Sequence, residues 1–146
     1  IVSNIGRDPI DQLKHDKISF TESDINSIFE QKCDIISPCA LGGAINSEIK
    51  KKLKCKAIVG AANNQLDKSE TAEWLKENNI FYAPDYLVNS GGVIAISCEI
   101  NNSEDTLDDQ LNKISDKVLL LLKELKKSSL SADKIVEDLA WKRINT

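Results

Sequence analysis

The chain has 146 residues, 41% of them hydrophobic and 29% charged, with 19 Lys and Arg against 23 Asp and Glu for a net charge of −4. That is the makeup of a globular domain able to bury about 70% of its unfolded surface. Its acidic balance argues against nucleic acid as a partner, because phosphate binding needs a basic surface. The longest aliphatic run, residues 118–122, falls far short of the roughly 20 residues that span a bilayer, so no membrane partner is expected.

The first residues, Ile1-Val2-Ser3-Asn4-Ile5, lack the basic-then-apolar layout of a secretory signal and predict a strand that ends at Gly6-Arg7-Asp8-Pro9. The chain contains no Met, and a domain seldom opens in mid-strand, so a piece of a longer protein is expected. Residues 10–15 suit a short helix and residues 17–20 a second short strand. Thr21-Glu22-Ser23-Asp24 has the look of a helix start, with Ile25, Ile28 and Phe29 on one face. Residues 33–37 form a short apolar run stopped by Pro38. Residues 46–53 carry helical spacing through Ile45, Ile49 and Leu53, and residues 57–60 read as a buried strand. Ser69 is placed to cap a helix over 70–78, with Ala72 and Leu75 inward. Residues 80–83 return as a strand before Pro84.

Strands alternating with helical stretches predict an α/β fold built on a parallel sheet. Its strands should be apolar runs buried on both faces, as Ile35-Ile36 and residues 57–59 suggest. Beyond Gly91-Gly92 the pattern turns helical: Leu107, Leu111, Ile114, Val118, Leu121, Leu122 and Leu125 recur at one face's spacing. Ser128-Ser129 interrupts, and Ser131 is placed to cap a last helix through Ile135, Val136 and Leu139. The leucine stripe is expected to pack on the sheet or on a neighbouring subunit.

The cysteines stand at 33, 39, 55 and 98, with His15 the single histidine. No two cysteines have metal-knuckle or redox-motif spacing, so no metal is expected, and the thiols read as the reduced cysteines of a cytoplasmic protein.

Three uncharged segments are expected at strand C-terminal ends, where open parallel sheets bind ligands. They are Pro38-Cys39-Ala40-Leu41-Gly42-Gly43, Gly60-Ala61-Ala62-Asn63-Asn64-Gln65 and Asn89-Ser90-Gly91-Gly92-Val93. Small residues let a ligand reach backbone, and Asn offers donor and acceptor together. Each segment alone is equally well a set of turn residues; three at successive strand ends point to a ligand floor. No general base or nucleophile stands out among them.

The blocks Cys33-Asp34-Ile35, Pro38-Cys39-Ala40-Leu41-Gly42, Lys54-Cys55-Lys56-Ala57-Ile58-Val59-Gly60-Ala61-Ala62-Asn63-Asn64-Gln65-Leu66, Tyr82-Ala83-Pro84-Asp85-Tyr86 and Asn89-Ser90-Gly91-Gly92-Val93-Ile94 stand in order over about residues 33–96. As a set they resemble the C-terminal dinucleotide-binding domain of the Glu/Leu/Phe/Val dehydrogenases, most nearly the leucine-specific members. Residues 1–32 and 100–146 match more loosely. The resemblance implies a Rossmann-like parallel sheet lacking its first strand and helix. Residues 1–100 would be the partial nucleotide domain and residues 101–146 helices packing on it, with the catalytic N-terminal domain absent. It also implies oxidative deamination of an L-amino acid to a 2-oxo acid and ammonia in a cytoplasmic homo-oligomer, with NAD as the cofactor and NADP the alternative.

By the same resemblance, Asn4 stands where an acidic residue normally holds the adenosine ribose. An amide does not repel a 2′-phosphate, and Arg7 is near in sequence. Cys39, Ala40, Ala62 and Asn63 would line the nicotinamide ribose, and Asn89 would lie near the nicotinamide and the substrate. Val93 and Ile96 would face the substrate side chain. Glutamate-specific members carry a hydroxyl at the position of Ile96, and a branched apolar residue there leaves a buried γ-carboxylate without a partner. An aliphatic substrate such as leucine or valine follows. The family's Gly-x-Gly-x-x-Gly phosphate loop and its catalytic lysine and carboxylate have no counterparts here, so the fragment alone is expected to be inactive, with no catalytic residues of its own. Two rival readings are a non-catalytic remnant serving as an interaction or oligomerisation module, and an unrelated Rossmann-like protein binding another nucleotide.

Overall fold

The computed structural model describes residues 23–24 and 27–145. The elements expected over residues 1–5, 10–15 and 17–20, together with Asn4, Arg7 and Ile25, lie outside the described residues. Where the helix start was expected, a single 3-10 turn, Ile28–Glu30, follows Asp24, whose Oδ1 accepts the Ser27 N–H at 3.0 Å.

Three short strands, β1 (Ile35–Ile36), β2 (Ala57–Ile58) and β3 (Phe81–Tyr82), form a wholly parallel sheet in the order β1-β2-β3. Ile35 pairs with Ala57 and Ile36 with Ile58; Ala57 in turn pairs with Phe81 and Ile58 with Tyr82. The α/β expectation therefore holds. Burial on both faces does not extend to Ile35 on β1, which is 60% exposed.

The helical stretch expected over residues 46–53 is one 3-10 turn, Ile49–Lys52. Asn46 Oδ1 takes the N–H groups of Glu48 and Ile49, both at 3.0 Å, and this side-chain competition replaces a regular first turn. Ile49 and Leu53 still pack on the core. Helix α1 (Ser69–Glu77) begins at Ser69 itself, so Ser69 is not its cap. Asp67 ties down that end, accepting from the Thr71 hydroxyl at 2.7 Å and from the Ser47 N–H at 3.2 Å.

After β3 the chain makes a single helical turn, α2 (Asp85–Val88), and enters α3 (Gly91–Ile100). The third segment expected at a strand end is thus a junction between helices. Gly91 and Gly92 fall in the first turn of α3, whose N–H groups have no partner one turn back, so glycine costs little there. The leucine stripe forms α4 (Leu107–Leu125), which packs on α2, α3 and α5 (Ala132–Ile144), while α5 also packs on α1. Ser131 precedes α5 as expected, yet its buried hydroxyl makes no capping bond. Ile45, Ile58, Leu75 and Leu121 are fully enclosed and mark the centre of the core.

Candidate site at the strand ends

The loops leaving β1 and β2 are sewn together by backbone bonds. The Ala62 N–H donates to the Pro38 carbonyl at 2.9 Å, Gly43 to Asn64 at 2.7 Å and Ile45 to Gln65 at 3.0 Å. This closeness depends on missing side chains. A Cβ at Gly60 would stand 2.2 Å from the Pro38 oxygen, and one at Gly42 would stand 2.9 Å from the Asn63 oxygen. Asn64 adopts φ of 51°, a left-handed conformation that Asn tolerates better than most residues.

Asn89, at the end of α2, reaches back to the β2 loop. Its Nδ2 donates to the Ala61 carbonyl at 2.7 Å and to Asn63 Oδ1 at 2.9 Å. A carbonyl can only accept, so the Ala61 contact fixes which end of the Asn89 amide points inward. Asn63 Nδ2 and Asn89 Oδ1 then have no partner among the described residues, and both side chains are exposed. The pair presents one donor and one acceptor side by side.

The other expected site residues divide into two groups. Cys39 and Ala40 are exposed on the β1 loop, with the Cys39 sulfur 3.3 Å from the Ser37 hydroxyl, and Ala62 is buried beneath the stitched loops. Val93 and Ile96 occupy the outward face of α3, 73% and 58% exposed, with Ile100 one turn further along the same face. A separate cleft of about 410 Å³ lies between α1, β3 and α4, lined in part by Lys76, Phe81 and Leu122. None of the expected site residues lines it.

A family model for glutamate/leucine/phenylalanine/valine dehydrogenase matches residues 2–136. The chain belongs to this family. It is 37% identical over 145 residues to the leucine dehydrogenase of Thermoactinomyces intermedius, covering 94% of this chain and 39% of that protein. The phenylalanine dehydrogenase of the same organism is 39% identical over 86% of this chain and 36% of its own length. The crystal structure of L-tryptophan dehydrogenase from Nostoc punctiforme superposes with a TM-score of 0.81 at 34% identity, covering 86% of this chain and 39% of that one. The chain therefore spans about two fifths of the length of these relatives.

Two supports of these loops carried no assigned role in the sequence. Gln65, fully buried, donates through Nε2 to the carbonyls of Gly60 at 2.7 Å and Ala62 at 3.0 Å, bracing the loop from inside. Asp85 accepts the Asn64 N–H at 3.0 Å through one oxygen and the Tyr82 hydroxyl at 3.2 Å through the other, binding the β3 exit to the β2 loop. Both stand inside the family blocks, but only the fold shows which carbonyls and N–H groups they meet.

Proposed function

We propose that this chain is the nucleotide-binding part of an NAD-dependent L-amino-acid dehydrogenase that deaminates a branched-chain substrate such as leucine to its 2-oxo acid and ammonia. The observation that carries the reading is the Asn89–Asn63 pair, whose free acceptor and free donor match a ribose diol or a carboxamide.

In this reading Cys39, Ala40 and Asn63 hold the nicotinamide ribose, the buried Ala62 supports the loop beneath it, and Asn89 orients the nicotinamide toward the amino acid. The nicotinamide, when bound, supplies the hydride acceptor. Val93 and Ile96 contact the substrate side chain. NAD is favoured over NADP, although Asn4 in place of an acidic residue weakens that discrimination. The test is calorimetric titration of the full-length protein with NAD and with NADP, repeated on Asn89→Ala. Losing the amide should weaken NAD binding by about tenfold or more, the scale of one good hydrogen bond. Unchanged NAD affinity in Asn89→Ala overturns the assignment.

A further inference from the structure

The ladder between β1 and β2 extends beyond the strands proper. Lys32 pairs with Lys54, and Ile35 with Ala57, both at an offset of 22 residues. Asp34 and Lys56 obey the same offset, joined by an ion pair of 2.7 Å on the solvent side. Cys33 and Cys55 therefore stand directly opposite one another, and both pack at the core.

We infer that Cys33 and Cys55 are a reversible redox pair, closing a cross-strand disulfide between the β1 and β2 segments when a peroxide oxidises Cys33. Neighbouring strands run about 4.8 Å apart, inside the roughly 4.4–6.8 Å Cα separation that disulfides use. Cys33 is half-buried and Cys55 buried, so the oxidant meets Cys33 first. Burial and the neighbouring Cys33 push the Cys55 thiol up, which disfavours Cys55 as the first nucleophile. The Cys33 sulfur attacks the peroxide: an S–O bond forms, the O–O bond breaks, and the departing hydroxide leaves as water with the Cys33 proton. The Cys55 sulfur then attacks the Cys33 sulfenic acid. An S–S bond forms, the S–O bond breaks, and the second water carries away the Cys55 proton. Two thiols have lost two electrons and two protons, and the peroxide has gained them. A small thiol reductant returns the bond to two thiols by thiol–disulfide exchange. Cys39, beyond the far end of β1, and Cys98, inside α3, take no part.

The test is graded hydrogen peroxide on the full chain, followed by alkylation and non-reducing peptide mapping. A peptide linked through Cys33 and Cys55 is expected. It should be retained in Cys39→Ser, lost on reduction and lost in Cys33→Ser. In Cys55→Ser, Cys33 should accumulate as a sulfenic acid trapped by dimedone. Sulfenic acid trapped at Cys33 in the native chain without a link to Cys55 overturns the inference. So does oxidation confined to Cys39 or to links between chains.

Discussion

Asn89 Nδ2 lies 2.9 Å from Asn63 Oδ1, and this bond joins the loop after β2 to the α2–α3 junction 26 residues later. Both residues are exposed, so the bond contributes little to the core and most to the shape of the surface at the strand ends. Asn63→Ala in the full-length protein should therefore lower kcat/KM by about 1–3 kcal/mol of transition-state stabilisation while shifting unfolding free energy by under about 0.5 kcal/mol. Paired kinetics and denaturant melts check it. A stability loss above about 2 kcal/mol would make Asn63 a structural turn residue instead.

Gly60 tests the stitched loops. Its missing side chain admits the Pro38 backbone, whose oxygen would be 2.2 Å and whose nitrogen 2.6 Å from an added Cβ. Backbone cannot swing aside as a flexible side chain can. Gly60→Ala should destabilise by about 1–3 kcal/mol or more, the cost of overpacking, and should break the Ala62 to Pro38 hydrogen bond. Denaturant midpoints measure the cost. A variant within about 0.5 kcal/mol of the parent would show that the two loops stand further apart than described.

The family blocks were legible because they consist of small and amide residues that few folds require together, such as Ala62-Asn63-Asn64-Gln65. The helices α1, α4 and α5 were legible because their apolar residues recur at one face's spacing, as Leu121 and Leu125 do. Three features were not. The 3-10 turn at Ile49–Lys52 arises because Asn46 captures two N–H groups, a local competition that periodicity does not register. The glycines of α3 read as loop because their cost depends on position within the helix. Gln65 and Asp85 gave no signal, since the backbone groups they bind are brought to them only by the folded β2 loop.

The two tyrosines give a pH test with a defined sign. Burial, with Asp85 adding its charge, pushes the Tyr82 phenol well above its ordinary value. Tyr86 is pushed up to about 12 by partial burial and by the carboxylates of Asp133, Glu137 and Asp85. An acid whose folded value is raised stabilises the fold fully below its unfolded value, near 10, and loses that contribution as pH rises through the folded value. Stability should thus begin to fall above about pH 10. Tyrosinate absorbance of the native chain should trace a curve alkaline of the same chain in denaturant. Superimposable curves would contradict the buried setting of Tyr82.

The substrate assignment rests on Ile96, a branched apolar residue on the outward face of α3 beside Val93. Because the side chain is mostly exposed here, replacing it should disturb stability by no more than about 0.5 kcal/mol, which leaves activity as a clean readout. In the full-length protein it would select an aliphatic side chain by shape and reject a charged one by desolvation. Ile96→Ser removes methylene contacts and adds a hydroxyl. It should weaken transition-state binding of leucine by about 1–3 kcal/mol, the scale of a methylene or two in an apolar pocket. It need not create glutamate activity, since a γ-carboxylate also needs a cationic partner that α3 does not supply. The measurement is the leucine-to-glutamate ratio of kcat/KM before and after substitution. A parent protein that already prefers glutamate, or a ratio that Ile96→Ser leaves unmoved, would remove Ile96 from the substrate pocket and with it the branched-chain assignment.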